Sequence, residues 1–113
     1  MNELEKNELL GNLYAYYGSL LTQGQQEYFE DYYYNDLSLG EIADNHQVSR
    51  QAVYDNLKRS SKALKNYEEK LHMARDYQKF SKLTLQISEA LSKNDNNEAK
   101  EKVEHLLNEL GEV

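Results

Sequence analysis

The sequence has no cysteine, proline or tryptophan, and only five of its 113 residues are glycine. Without cysteine, the chain cannot form a disulfide, present a thiolate nucleophile or bind zinc through sulfur. Charges occur throughout the amino-terminal stretch, and no uncharged run approaches the ~20 residues that a membrane-spanning helix needs. We therefore expect a soluble, cytoplasmic protein that does not insert into a membrane.

The spacing of the apolar residues predicts an all-α fold. Leucine, tyrosine, glutamate and lysine recur at spacings of three and four, whereas alternating apolar and polar runs are scarce. A chain of 113 residues suits one compact domain or a small core with an appendage. We assign an N-terminal helix and a helix-turn-helix head to residues 1–66, and a C-terminal helical hairpin to residues 67–113.

Two helices are predicted before the turn motif. The first runs over about residues 2–17 and ends at Gly18, and Thr22 with Gln25 makes a capping box for the second. The second helix carries four rings on one face: Tyr28, Phe29, Tyr32 and Tyr33. Such a face could stack nucleic-acid bases, but a core built of large amphipathic rings is the better interpretation.

A pair of capping signals defines the turn motif itself. Ser38 and Glu41 form a capping box directly before a short apolar stretch, and Ser49 is an N-cap for the segment that follows. The two helices then meet across a turn of three or four residues, which is the spacing of a helix-turn-helix.

In this motif, one side of each helix must face inward where the two helices cross. We expect a small residue, Ala43, at the crossing and a buried β-branched residue, Val48, just after the turn. The full set of predicted core residues is Ile42, Ala43, Val48, Ala52, Val53 and Leu57. The residues predicted to contact nucleic acid are Ser49, Arg50, Gln51, Tyr54, Lys58, Arg59 and Lys62. Arginine and glutamine can bond bidentately to base edges, and lysine suits phosphate.

The charge distribution allows a basic face on an acidic chain. The net charge at pH 7 is −7, yet residues 46–82 hold nine basic side chains against four acidic ones. Residues 1–45 carry −8 and residues 83–113 carry −4. The negative charge is therefore segregated away from the predicted recognition helix, although a basic run is as often only a solvated surface.

The last third of the chain is predicted to form a hairpin. Apolar residues recur at Leu64, Tyr67, Leu71 and Ala74, and the phase slips before Phe80, Leu83 and Ile87. Either one long helix with a phase shift near Tyr77 or two helices broken there would fit. Asp95 with Glu98 caps a final helix that closes at Gly111. The spare apolar surface of such a hairpin favours a homodimer.

The residues from Leu21 to Leu71 resemble the fourth region of bacterial sigma factors, which binds the upstream promoter element. The whole sequence is similar to the YlxM-type family of Firmicutes, on the basis of its tyrosine-rich second helix, the residues VSRQAV at 48–53 and an acidic helical tail. The resemblance implies a helix-turn-helix regulator that binds DNA or RNA. Because the family's gene neighbours that of the signal recognition particle protein, it also implies a role in that pathway.

Two positions depart from the sigma-like pattern. Glycine usually stands before the valine because that residue adopts a left-handed conformation, and this chain has Gln47 there. Since a side chain at positive φ costs about 1 kcal/mol, we expect a longer or differently bent turn. Asp55 places a carboxylate on the predicted outer face, where it would repel phosphate. Both features favour an alternative, in which the head is a protein-interaction accessory of the signal recognition particle that does not read DNA.

Catalytic and metal-binding motifs are absent from the sequence. It has no glycine-rich phosphate loop and no nucleophile elbow, and the three histidines form no two-histidine ligand pattern. Glu69 and His72 make one Glu-x-x-His pair, but di-metal bundles need two such motifs with further carboxylates. We expect no cofactor, no metal site and no enzymatic activity.

Overall fold

The computed structural model describes residues 1–111 and confirms the all-α fold class. The helices are α1 (Glu3–Tyr17), α2 (Gln23–Tyr33), α3 (Leu39–His46), α4 (Arg50–Leu71), α5 (Met73–Ser92) and α6 (Asn96–Glu109), with a 3₁₀ turn at Gly18–Leu20. No residue between 1 and 111 lies in a β-strand. No helix of this described part is long and apolar enough to cross a membrane.

The chain divides into two compact units, of which the first is Met1–Ala74 and the second begins at Arg75. We call the first unit the head. The boundary lies later than the one expected between residues 66 and 67, because α4 continues without interruption to Leu71. The head therefore contains the whole of α4.

The predicted caps start the helices of the head. The side chain of Thr22 accepts a hydrogen bond from the backbone N–H of Gln25, and the side chain of Gln25 accepts one from the backbone N–H of Thr22. Ser38 and Glu41 make the same reciprocal pair at the start of α3. Each box satisfies backbone N–H groups that a helix start leaves without partners.

Two buried clusters form the core of the head. One joins α1, α2 and α4 and contains Leu13, Tyr17, Phe29 and Leu64, among others. The other joins α3 to α4, and the half-buried Tyr28, Tyr32 and Tyr33 of α2 pack against it. The aromatic face of α2 is thus mostly core, because Phe29 is fully buried and the tyrosine rings cover both clusters.

Tyr17 fixes the point where α4 ends and α5 begins. Its buried hydroxyl donates to Glu68 Oε1 at 2.6 Å and accepts from the backbone N–H of Met73 at 3.1 Å. The same Glu68 oxygen accepts from the backbone N–H of Ala74 at 3.0 Å. These bonds satisfy donors at the start of α5. Burial, followed by the bond to Glu68, raises the pKa of Tyr17, so the hydroxyl keeps the proton that it donates.

The helix break therefore lies at His72 and not near Tyr77, where the sequence suggested it. His72 adopts a left-handed conformation, with φ 57° and ψ 24°, and its N–H donates to the Glu68 carbonyl. In contrast, α5 passes through Tyr77 as a continuous helix. The expectation was wrong because the position of the break depends on Tyr17, which is distant in sequence.

The second unit consists of most of α5 and α6. Asp95 caps α6 by accepting from the backbone of Glu98, as predicted. Lys79, near the start of α5, pairs with Glu109 at the end of α6 at 2.8 Å, so the two helices run antiparallel. Of the residues of this unit up to 111, only Leu83, Ala90 and Ala99 are buried.

We predict that Tyr17→Phe lowers the free energy of unfolding by about 1–3 kcal/mol, because it removes a buried hydroxyl that donates to Glu68 and accepts from the Met73 N–H. Urea denaturation followed by circular dichroism measures the effect. Tyr34→Phe is the control: Tyr34 is 52% exposed, and the change there should stay within about 0.5 kcal/mol. Equal effects of the two substitutions would show that Tyr17 does not anchor the junction.

Candidate nucleic-acid interface

The turn between α3 and α4 spans only residues 47–49. Gln47 adopts the left-handed conformation, with φ 55° and ψ 46°. The N–H of Val48 donates to the Ala43 carbonyl at 3.0 Å, and the N–H of Gln47 donates to the Asp44 carbonyl at 3.3 Å. This pair of bonds is a Schellman motif. The turn is therefore short and regular, which corrects the expectation that Gln47 would lengthen or bend it.

The crossing of α3 and α4 is closed by four buried residues. Ile42 and Ala43 of α3 pack with Val53 and Leu57 of α4 in one cluster. The sequence predicted these four residues as core, and the structure brings them together.

Two further residues of the predicted core point outward. Val48 is 39% exposed and Ala52 is also exposed. Val48 follows the left-handed residue, so the Schellman motif holds it through its backbone N–H. Ala52 directly precedes Val53 on α4, and neighbouring helical positions differ in direction by about 100°. Because Val53 faces the core, Ala52 faces away from it.

The outer face of α4 presents all seven residues predicted to bind nucleic acid. We call this set the α4 face, and each member is exposed: Ser49, Arg50, Gln51, Tyr54, Lys58, Arg59 and Lys62. Their exposure follows from the burial of Val53, Leu57, Ser60 and Leu64, whose spacing of four, three and four fixes the rotation of the helix.

Arg50 lies against α3 at a position occupied by glycine. A Cβ atom added to Gly40 would stand 3.0 Å from two nitrogens of the Arg50 guanidinium. Gly40 therefore leaves room for this side chain beside the start of α3. This role of Gly40 was not predicted from the sequence, although a glycine inside so short a helix indicates close approach of another group.

Two members of the α4 face already have partners within the chain. The Ser49 hydroxyl accepts from the backbone N–H of Ala52 at 3.0 Å and so caps α4. The Gln51 amide donates to Asp55 Oδ1 at 2.9 Å. A base edge would therefore compete with Asp55 for the Gln51 amide. In contrast, the exposed side chain of Tyr54 forms no hydrogen bond with any of residues 1–111.

In the described part of the chain, residues 1–111, the cationic groups of the α4 face have no salt-bridge partner. Within residues 1–111, no carboxylate lies within 4.0 Å of the charged nitrogens of Arg50, Lys58, Arg59 or Lys62. Lys58 and Lys62 are one helical turn apart on the same side. This arrangement can bind successive phosphates of a polyanion, while Arg50 can donate two parallel hydrogen bonds to a base or a phosphate.

His46 contributes to packing, and the histidines form no metal centre in the described part of the chain. His46 Nε2 lies 3.3 Å from Asp31 Oδ2, and its ring meets that of Tyr28 edge-on at 4.6 Å. Up to residue 111, no group of three or more potential metal ligands is present.

Comparison with known proteins identifies relatives along nearly the whole chain. Residues 4–105 match the UPF0122 family, described as "Putative helix-turn-helix protein, YlxM / p13 like". A UPF0122 protein of Limosilactobacillus reuteri (strain DSM 20016) is 44% identical over 96% of this chain and 94% of its own length. A relative from Streptococcus pneumoniae is 50% identical over 82% of this chain and 84% of its own length. A relative from Bacillus cereus (strain AH187) is 46% identical over 89% of this chain and 94% of its own length.

We predict that Gln47→Gly raises the free energy of unfolding by up to about 1 kcal/mol, since glycine adopts positive φ without steric cost. Thermal and urea denaturation measure the change. Ala15→Gly, at an exposed position inside α1, should instead lower it by about 1 kcal/mol. If Gln47→Gly destabilises the protein as Ala15→Gly does, the turn does not have the left-handed geometry described.

Proposed function

The chain belongs to the UPF0122 family of YlxM/p13-like helix-turn-helix proteins, and on that premise we propose that it binds nucleic acid through the α4 face. The observation that carries the proposal is the cationic surface on the helix that follows the turn, which forms no salt bridge with any of residues 1–111. In helix-turn-helix proteins this helix enters the major groove, and its N-terminal residues contact base edges.

The positions along α4 separate two kinds of contact. Ser49, Arg50, Gln51 and Tyr54 occupy the turn and the first helical residues, where base edges would lie. Lys58 and Arg59 follow in the third turn and Lys62 in the fourth, and these three would bind phosphate. Contacts of the first kind give sequence preference, and contacts of the second kind give affinity and salt dependence.

The acidic remainder of the chain reduces the attraction to nucleic acid mainly at low salt. The Debye length is about 8 Å at physiological ionic strength, so carboxylates farther than this from the phosphates are largely screened. One head offers Arg50, Lys58, Arg59 and Lys62 as cations. So few contacts give weak binding, and pairing two heads would double them.

We infer that the chain forms a homodimer through its second unit. Five large aliphatic side chains of this unit are exposed: Leu85, Leu91, Val103, Leu107 and Leu110. The unit thus exposes more large apolar residues than it buries, and a two-helix hairpin rarely has a sufficient core of its own. Val103, Leu107 and Leu110 form a stripe along one side of α6 that a second copy would cover.

The physiological role that we propose is regulatory and cytoplasmic, with DNA or RNA as the bound polymer. We base a role in the signal recognition particle pathway on the gene neighbourhood of the YlxM-type family alone. We propose no catalytic step, and the family to which the chain belongs is described as a helix-turn-helix family.

A second candidate is a protein-interaction accessory of the signal recognition particle. It is favoured by the bond between Gln51 and Asp55, which engages one predicted base-reading amide and keeps a carboxylate on α4. Co-purification separates the candidates: this one requires that the particle's protein be retained after nuclease treatment.

We predict that Arg50→Ala with Lys58→Ala weakens nucleic-acid binding by at least about tenfold, since loss of one bidentate arginine costs about 1–3 kcal/mol. Fluorescence anisotropy over a series of salt concentrations should also show a salt slope reduced by about 1 for Lys58. Lys93→Ala with Lys100→Ala removes the same charge from exposed positions outside the head. If this control weakens binding as much, the α4 face is not the interface.

We predict that Leu107→Glu converts a dimer to a monomer, because it places a charge in the apolar stripe of α6. Sedimentation velocity should show the wild type at twice the mass of one chain. Leu20→Glu, at an exposed position of the head, should leave the dimer intact. A wild type that sediments as a monomer at all concentrations would contradict the homodimer.

A further inference from the structure

A cavity of about 340 Å³ opens on the head beside the α4 face. Side chains of α1, α2, α3 and α4 line it. Its floor is apolar, since Leu10 and Leu57 are almost fully buried there. Tyr54 and Lys58 belong to both the cavity and the α4 face, so a polymer bound on that face passes the mouth of the cavity.

Tyrosine rings form the walls. Tyr32 and Tyr33 of α2 meet edge-on, with ring centroids 5.0 Å apart, and Tyr54 of α4 is 49% exposed at the mouth. Burial raises the pKa of Tyr33, so its hydroxyl is neutral at pH 7. Neutral aromatic walls over an apolar floor suit a flat ring that can stack.

The rim of the cavity carries two lysines from α4 and one carboxylate from α1. Lys58 and Lys65 are seven residues apart on α4, which is two turns or about 10.5 Å along one side of the helix. Both are exposed, and within residues 1–111 neither has a salt bridge. Glu3 of α1 adds a carboxylate to the lining. A ligand that fits all three features combines a flat ring, an N–H donor and anionic groups on one side.

We propose that this cavity binds the base of an unpaired nucleotide in a nucleic-acid chain, with the adjoining phosphates on Lys58 and Lys65. The base stacks on the tyrosine rings, and Glu3 accepts a hydrogen bond from an amino or imino N–H of the base. A base held in a duplex cannot enter, because its stacking and pairing partners enclose it. This inference rests on the proposed nucleic-acid binding and specifies which part of the polymer is recognised.

The experiment compares a fully paired hairpin with the same hairpin carrying one bulged nucleotide, each as DNA and as RNA, by fluorescence anisotropy. The wild type is expected to bind the bulged form about tenfold more tightly, which is the gain in affinity that stacking of one base provides. Lys65→Ala should reduce this ratio, because Lys65 holds a phosphate that adjoins the unpaired base. Lys62→Ala is the matched control: it removes an exposed lysine of α4 that does not line the cavity, so it should weaken both hairpins equally.

Equal binding of the two hairpins by the wild type would overturn this inference and leave the proposed function standing. A ratio that Lys65→Ala and Lys62→Ala change alike would also overturn it. If neither hairpin binds, the proposed function itself fails. A competition arm with adenosine monophosphate separates the two sources of the base: displacement of the bulged hairpin at micromolar nucleotide would identify a free-nucleotide site and reject the polymer.

Discussion

The packing of α3 on α4 is the constraint on which the candidate interface depends. Ile42 and Ala43 meet Val53 and Leu57 in a closed cluster, and α2 covers it with tyrosine rings. A helix has one rotational phase, so burying Val53 and Leu57 decides which residues of α4 meet solvent. The short turn supports this packing, because the left-handed Gln47 brings α4 back across α3 within three residues. The cationic face is thus a consequence of how the opposite side is buried.

The charge segregation gives this face its electrostatic character. Residues 1–45 carry −8 while residues 46–82 carry +5, and α4 collects the cations on its solvent side. Their distance from carboxylates within residues 1–111 leaves them available to an anion. Asp55 is the local exception, and its carboxylate accepts a hydrogen bond from the Gln51 amide at the surface of the face. The face is therefore better suited to phosphate than to reading several bases at once, which agrees with an additional role for the neighbouring tyrosine-lined cavity.

Features encoded by residues three or four apart could be predicted from the sequence. The capping boxes at Thr22 and Ser38 and the cap at Asp95 depend on such local contacts, and all are present. Features that depend on residues distant in sequence could not be predicted in this way. The break at His72 is set by Tyr17, which meets Glu68 from 51 residues away. Val48 and Ala52 were misplaced because small apolar residues beside a turn do not by themselves show which way they point. The cavity joins four helices and has no contiguous sequence signal.

The measurement that tests the central claim most directly is an amide-resolved NMR titration of the full chain with a mixed-sequence nucleic acid that includes paired and unpaired segments. The account predicts that the largest chemical-shift changes cluster at residues 49–62 and at the rim of the adjoining cavity, and that they diminish as salt is raised. Changes confined to α5 and α6, or no changes at low salt, would contradict the claim that α4 is the nucleic-acid-binding helix.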